Sequence, residues 1–216
     1  MKKIMFNDKM CLTQAVIEGR KTQIRRIITP QPTYKDDSGI CWKGYAYGLR
    51  PVDFNEPFGS YMNFVSGTEY DKSCRRYRKG EVVAVAQAYK TLGYNYYALD
   101  ISPKDFHISR GILGKSKGWN NKMFVRAEGC KHKIRITDVR VERLQDISDE
   151  DCLKEGVRKV VNENGIYVQY YVGKGDNACS FENPREAFAH LINKVSRKDV
   201  WSENPYVFVY DFELVK

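Results

Sequence analysis

The 216-residue chain lacks long apolar runs and paired cysteine motifs. No segment approaches the roughly 20 apolar residues that a membrane-spanning helix needs, so we expect no membrane partner. The six cysteines include no C-x-x-C pair and no zinc spacing. We therefore expect no metal site and no cofactor. Lys2 and Lys3 precede only a short apolar run, which is unlike a signal peptide. These features predict a cytoplasmic protein with reduced thiols.

Negative charge is also scarce relative to positive charge. Asp and Glu number 27 against 36 Lys and Arg, for a formal net charge of +9, which favours a polyanionic partner and chiefly nucleic acid. Aromatic residues make up 13% of the chain, and cations interleaved with rings suit unpaired nucleic acid. Each single tyrosine is equally ordinary in a β-strand. Charge alone thus leaves open a basic interaction domain without chemistry.

The segment 19–26 is the most concentrated group of cations near the start of the chain. Apolar spacing predicts a short helix over 12–18 that begins at Thr13 and ends at Gly19 in the left-handed conformation. A strand is predicted over 21–28. The basic side chains at this join are Arg20, Lys21, Arg25 and Arg26. The alternative is that the first two only complement the negative end of the helix.

The rest of the pattern predicts many strands and few helices. A continuous apolar run over 82–86 predicts a strand buried on both faces. Residues 122–144 read as two strand pieces, and the alternation shifts phase near Thr137, which indicates a β-bulge. Further strands are predicted over 166–172 and 208–214. The absence of a βαβ rhythm predicts a mainly β, α+β protein built as a small barrel with flanking helices.

Two helices have clear N-terminal signals. Ser148 precedes three acidic residues, and Asn183 precedes a proline with Glu186 completing a capping box. The first of these helices ends at Gly156, so Glu155 meets the negative end of the helix dipole. A residue that violates a local rule is a candidate for function, although a solvated surface glutamate is the alternative.

Two irregular stretches interrupt the pattern, at about 31–79 and about 90–121. Their Pro, Gly, Tyr and Asn content and weak periodicity predict long insertions on a single domain that spans 1–216. The first insertion ends in a basic cluster. The second is either a mobile flap or a packed loop whose rings fill small hydrophobic clusters.

Five pieces of the sequence resemble the ASCH domain family, and in particular its prophage-associated branch. They are Gly19-Arg20-Lys21-Thr22-Gln23, Gly80-Glu81-Val82-Val83, 136–144, 147–156 and 204–212. The resemblance covers about half of the chain and omits both insertions. It implies a PUA-like β-barrel, with a cleft beside the first helix-to-strand turn, that binds nucleic acid, RNA more than DNA.

One branch of that family hydrolyses the amide of acetylated cytidine with a lysine, a threonine and a glutamate. Lys21 matches the lysine and Glu155 matches the glutamate, which implies that the two side chains meet and face one cleft. The threonine position holds Ile24, and Thr22 points to the opposite face of the strand from Lys21. The loss of this oxygen favours binding over hydrolysis.

Two functions therefore follow from the sequence, besides the basic interaction domain. The first is binding of nucleic acid or a nucleotide at the basic turn, in which Gln87 and Glu155 contact polar base edges. The second is an amidohydrolase acting on a modified nucleoside with Lys21 and Glu155 as catalytic residues. The predicted ligand-binding set is Arg20, Lys21, Thr22, Arg25, Arg26, Gln87 and Glu155. The oligomeric state and the identity of the ligand are left open.

Overall fold

The structure is a computed structural model that covers the two ends of the chain and its middle. It describes residues 1–29, 31, 33–34, 40–42, 45–47, 76–92, 117–175 and 178–215. Most of the predicted insertions, 31–79 and 90–121, therefore lies outside the described residues. Within the described ranges, no helix combines the length and the apolar character needed to cross a bilayer.

The described residues form eleven strands and six helices. The strands are β1 (Lys3–Ile4), β2 (Gln23–Ile27), β3 (Thr33–Tyr34), β4 (Ile40–Trp42), β5 (Tyr45–Tyr47), β6 (Val82–Val85), β7 (Lys133–Arg143), β8 (Arg158–Val161), β9 (Val168–Val172), β10 (Cys179–Phe181) and β11 (Tyr206–Val215). The helices are α1 (Leu12–Ile17), α2 (Tyr89–Leu92), α3 (Lys117–Asn120), α4 (Asp149–Lys154), α5 (Pro184–Ser196) and α6 (Val200–Glu203). The predicted mixture of many strands and few helices is confirmed.

The main sheet has five strands in the order β1-β6-β7-β11-β2. β1 and β6 are parallel, and the other neighbours are antiparallel. Asp211 pairs with Asp138 and Phe212 pairs with Ile136, so Thr137 is the extra residue of a bulge. This confirms the predicted phase shift. In the described part of the chain β1 and β2 are not paired, so the sheet is open.

Two smaller sheets accompany the main one. The first has the order β10-β9-β8 and is antiparallel throughout. The second, in the order β3-β4-β5, lies in the sparsely described region before residue 76. The strand predicted over 166–172 corresponds to β9, which begins two residues later.

The hydrophobic core lies against one face of the main sheet and continues under α5. Phe208, Tyr210 and Phe212 of β11 are buried, as their alternation predicts, and Val207 and Val209 on the opposite face are buried as well. β6 is buried from Val83 onward, in agreement with its continuous apolar run. The middle of the sheet is thus covered on both faces, because elements pack on each side of it.

Three helix ends, two of α1 and one of α5, test the capping predictions. Asn183 accepts a hydrogen bond from the amide of Arg185 at 2.8 Å and caps α5 as predicted. Gly19 follows α1 at φ +73°, as its role in ending the helix requires. The prediction that Thr13 caps α1 is wrong. Cys11 holds that position in the left-handed conformation, and the hydroxyl of Thr13 donates to the carbonyl of Phe6 instead.

The strand predicted at the beginning of 122–144 is absent from the described residues. Residues Lys122–Phe124 form a 3₁₀ turn, and only β7 is extended. The ammonium group of Lys3 accounts for this difference. It contacts the carbonyls of Lys122, Met123 and Val125, so the chain there is wrapped around a cation. Carbonyls that converge on one point cannot form a strand ladder, whose bonds lie in one plane.

Candidate functional site

The turn between α1 and β2 separates two neighbouring cations. The amides of Arg20 and Lys21 both donate to the carbonyl of Ala15, at 2.9 and 3.0 Å, and this closes the end of α1. Arg20 is exposed and forms an ion pair of 2.6 Å with Glu18. The side chain of Lys21 turns inward and is 1% exposed. Within this short turn, Arg20 therefore lies at the surface and Lys21 lies in the interior.

Lys21 and Glu155 meet, as the resemblance implies. The Nζ of Lys21 lies 2.6 Å from Oε2 of Glu155, and the glutamate side chain is 5% exposed. The same Nζ donates to the carbonyls of Gln23 and Glu155, each at 2.7 Å. All three N–H groups of the ammonium thus have acceptors. Burial lowers the pKa of Lys21, and the nearby Glu155 carboxylate opposes that shift.

The position of Glu155 follows from how α4 begins and ends. The hydroxyl of Ser148 accepts a hydrogen bond from the amide of Asp151 at 3.1 Å, which confirms the predicted cap. Glu155 follows the last turn of the helix, and Gly156 then adopts φ +107°. A Cβ at Gly156 would lie 2.9 Å from Cδ2 of Leu12, so the chain passes directly against α1. The carboxylate of Glu155, at the unfavourable negative end of α4, therefore lies against buried cations.

Arg25 is the second cation that contacts Glu155. Its guanidinium is fully buried and donates to Gln23, Glu142, Asp151 and Glu155. Burial opposes ionisation of Arg25, but the carboxylates of Glu155 and Glu142 outweigh it and raise the pKa. These contacts use all five N–H groups of the guanidinium. Arg25, predicted to contact a phosphate, instead pairs with carboxylates that include one from the acidic start of α4.

The ion pairs continue from Arg25 along the sheet. Arg140 contacts Glu142, Asp151 and Asp211, and Lys154 lies 2.9 Å from Asp151. We name this set the buried charge network, after its buried members Lys21, Arg25 and Glu155; Lys154 at its edge is exposed. Its members are Lys21, Arg25, Arg140, Glu142, Asp151, Lys154, Glu155 and Asp211. Four cations and four carboxylates balance each other, so the network presents little net charge to a ligand.

Arg26 points to the opposite face of β2 from Arg25. Its Nη2 donates to the carbonyl of Met5 at 3.2 Å, and its Nε is buried without a partner among the described residues. Burial lowers the pKa of Arg26. Gln87 is 5% exposed, and its Oε1 likewise lacks a partner in the described part of the chain. Both predicted binding residues thus hold a buried polar atom that a ligand or water would satisfy.

Thr22 completes the predicted set, and Ile24 holds the position of the family's threonine. The amide of Thr22 donates to the carbonyl of Lys154 at 3.0 Å, and its own carbonyl accepts from Phe212 at 2.8 Å. Thr22 therefore serves as a backbone link between β2, α4 and β11. Ile24 is buried in the hydrophobic core, paired across the sheet with Tyr210. No oxygen stands at the position where the resemblance places a threonine.

An open cleft of about 450 Å³ lies beside the α1–β2 turn. We name it the basic cleft. Its lining residues are Met10, Cys11, Gln14, Ala15, Glu18, Arg20, Gly156, Arg158, Gly173 and Lys174. Three cations face it against one carboxylate, that of Glu18. Lys21 and Glu155 do not line it. The structure does not place them in this cleft, because Gly156 lines it and both side chains are buried.

The sequence reading missed Arg158 and Lys174. They are 16 residues apart and belong to the two sides of the β8–β9 hairpin, where Arg158 donates to the carbonyl of Gly173 at 3.0 Å. Only the register of the hairpin places them together. The signals available were the glycine directly before Lys174, Gly156 two residues before Arg158, and the Asn-Gly pair at 164–165, which is typical of a hairpin turn.

Comparison with known proteins adds no identification. No family model matches the chain, and no curated protein or solved structure is significantly similar to it. Among the residues that the structure describes, no group of three or more His, Cys, Asp or Glu side chains is arranged to hold a metal ion.

Proposed function

We propose that the protein binds single-stranded RNA, or a nucleotide unit of it, in the basic cleft. The observation that carries this proposal is the surplus of positive charge there: Arg20, Arg158 and Lys174 against Glu18. The volume of about 450 Å³ falls within the range of pockets that bind small ligands. Cations beside an open concave surface attract phosphates and release their counterions. The preference for RNA over DNA rests on the ASCH resemblance.

We also propose that the main sheet is the PUA-like barrel that the resemblance implies. The support comes from the two edges of the open sheet. Arg26 on edge strand β2 reaches the carbonyl of Met5, immediately after edge strand β1, at 3.2 Å. A side-chain hydrogen bond between opposite edges requires a strongly curved sheet. The cleft beside the α1–β2 turn also lies where the resemblance places the ligand.

Salt-dependent binding tests the RNA proposal. Single-stranded affinity falls with salt by a log–log slope of about 0.7 per neutralised phosphate, so the two cleft cations without an ion pair among the described residues, Arg158 and Lys174, give a slope of about 1.4. We expect micromolar or weaker affinity in a fluorescence-anisotropy titration. Arg158→Ala lowers the slope by about 0.7. Lys159→Ala is the matched control, since it removes one charge from the other face of the same strand.

The outcomes of this titration separate the candidate functions. No binding at low salt removes the RNA proposal and leaves a basic interaction domain without chemistry. Equal slopes for Arg158→Ala and Lys159→Ala place any binding outside the cleft. A DNA strand of the same sequence measures the preference for the 2′-hydroxyl.

An amidohydrolase acting on acetylated cytidine is the second candidate. The contact between Lys21 and Glu155 favours it, since the resemblance makes these two residues catalytic. Their burial, the three acceptors of Lys21 and the apolar Ile24 argue against it. We expect no conversion in a chromatographic assay. Rapid conversion that Lys21→Ala abolishes in a folded variant restores this candidate, and Ile24→Thr is the gain-of-function test.

A further inference from the structure

The β8–β9 hairpin carries the densest group of exposed apolar side chains. Five of the ten exposed large hydrophobic residues in the described part of the chain belong to it. We name these five the hairpin tip. They are Val160, Val161, Ile166, Tyr167 and Val168. Ile166 is 73% exposed and Tyr167 is 71% exposed. Contiguous exposed apolar residues on a soluble surface typically mark an interaction site.

Hydrogen bonds within the turn of the hairpin fix the backbone that carries these exposed side chains. The Oδ1 of Asn162 accepts hydrogen bonds from the amides of Ile166 and Tyr167, at 2.9 and 3.0 Å. The amide of Asn162 donates to the carbonyl of Tyr167 at 3.0 Å, and Gly165 provides the left-handed residue at φ +71°. Because the turn satisfies its own backbone, the two large side chains are presented outward at little entropic cost.

One face of the hairpin tip is continuous with the basic cleft. Arg158 lines the cleft, and Val160 points to the same face of β8 two residues further on. From Arg158 to the end of β8 the strand rises about 10 Å. Phosphates along one nucleic-acid strand are spaced by about 3.4 Å or more, so a few nucleotides span this distance.

The charges around the tip indicate an anionic partner. The cations on its cleft side are Arg158 and Lys174, which both line the basic cleft, and Glu163 in the turn is the single carboxylate between 158 and 174. A partner that combines phosphates with flat apolar faces complements both the cations and the rings. Unpaired RNA has this combination, since its bases stack on aromatic side chains while its phosphates meet Lys and Arg.

We infer that the hairpin tip is a stacking platform for unpaired bases of an RNA strand whose phosphates lie in the basic cleft. This inference rests on the proposed function and extends it from phosphate attraction to base contact. Tyr167 provides the ring, and Ile166 and Val160 supply apolar contact beside it. The platform takes bases of any sequence, because every base presents a flat face.

Removal of the ring tests the platform. We expect Tyr167→Ala to weaken anisotropy-measured binding of a single-stranded RNA oligonucleotide about tenfold with an unchanged salt slope. Tyr167→Phe keeps wild-type affinity, because the ring and not the hydroxyl makes the contact. An abasic oligonucleotide of the same length binds wild type and Tyr167→Ala equally. Val195→Ala is the matched control, since it shortens an exposed apolar side chain on α5.

Failure of the platform and failure of the cleft give different results. If Arg158→Ala weakens RNA binding and Tyr167→Ala does not, the platform is overturned and the cleft stands. If wild type binds neither RNA nor the abasic strand, the cleft proposal and the platform fail together. Loss of self-association in sedimentation, or of binding to anionic phospholipid vesicles, in Tyr167→Ala with RNA affinity unchanged also overturns the platform, since the tip then serves another partner.

Discussion

Two groups of cations lie on either side of Gly156 and differ in how well they are paired. In the buried charge network, Lys21 and Arg25 use every N–H group on acceptors of the protein itself. In the basic cleft, Arg158 and Lys174 have no carboxylate partner among the described residues. A cation is available to a ligand only when its donors are not already satisfied.

The comparison changes which residues the RNA-binding proposal rests on. The basic stretch 19–26 suggested a binding surface of four cations, but only Arg20 lines the cleft. Buried ion pairs add little net stability over apolar packing, yet breaking one leaves an uncompensated charge. The network therefore holds α4, β2, β7 and β11 in place, and the cleft is free to bind.

Removal of the carboxylate shared by Lys21 and Arg25 has the largest expected effect. Glu155→Gln leaves two buried cations with a neutral neighbour, and we expect the free energy of unfolding to fall by about 3 kcal/mol. Urea denaturation measures it. Glu18→Gln breaks the exposed pair with Arg20 and serves as the control, with a much smaller change. Equal losses of unfolding free energy in the two variants would show that the ion pairs of the network and of the cleft do not differ in their contribution to stability.

Gly156 lies between the buried charge network and the basic cleft, and its substitution tests how closely the chain packs there. Gly156→Ala places a Cβ 2.9 Å from Leu12 at φ +107°, and we expect it to destabilise the fold by about 2 kcal/mol. Gly165→Ala is the control, because its φ is also positive at +71° but no atom lies within 4 Å of the new Cβ. We expect about 1 kcal/mol there. A smaller loss at Gly156 than at Gly165 contradicts close packing of α1 against this wall.

Acid tests the network through Asp151. Burial acts to raise the pKa of this carboxyl, but Lys154, Arg25 and Arg140 outweigh it and lower the pKa below its ordinary value of 3.8. A lowered carboxyl pKa contributes stability that is present above the ordinary value and is lost as the pH falls through the folded value. We therefore expect Asp151→Asn to flatten the fall in unfolding free energy below about pH 4.

The neighbouring Asp149 supplies the control for this titration. It lies exposed on the first turn of the same helix and forms none of the network's ion pairs, so Asp149→Asn is the matched substitution against which the effect of Asp151→Asn is measured. Parallel profiles for wild type and Asp151→Asn would show that its ion pairs do not stabilise the folded state.

Local signals in the sequence predicted much of the fold and one contact of the site. The phase shift near Thr137 could be detected because side chains alternate between the two faces of a strand with period two. Ser148 predicted the start of α4 because its hydroxyl can cap a helix. The electrostatic conflict at Glu155 marked that residue as a candidate for function, and the resemblance implied its contact with Lys21; the structure shows contacts with both Lys21 and Arg25. These features depend on neighbours in sequence or on a rule that one residue breaks.

The basic cleft could not be predicted from the sequence, because its lining depends on how the strands of the hairpin pair. Arg158 and Lys174 become neighbours only when β8 pairs with β9, because Arg158 begins β8 and Lys174 follows the end of β9. The burial of Arg25 was equally hidden. Its carboxylate partners come from β7 and α4, far along the chain. The local sequence around a cation beside a turn does not differ between a solvated and a buried side chain.

Protection of Cys11 by RNA tests the central claim most directly, because this half-buried thiol lines the basic cleft of the unmodified protein. Cys179 is equally half-buried and lies outside the cleft lining, which makes it an internal control. The measurement is the rate of iodoacetamide alkylation at each thiol by mass spectrometry, with and without saturating single-stranded RNA. We predict that RNA slows alkylation at Cys11 severalfold and leaves Cys179 unchanged. Equal rates at Cys11 with and without saturating RNA would contradict the account.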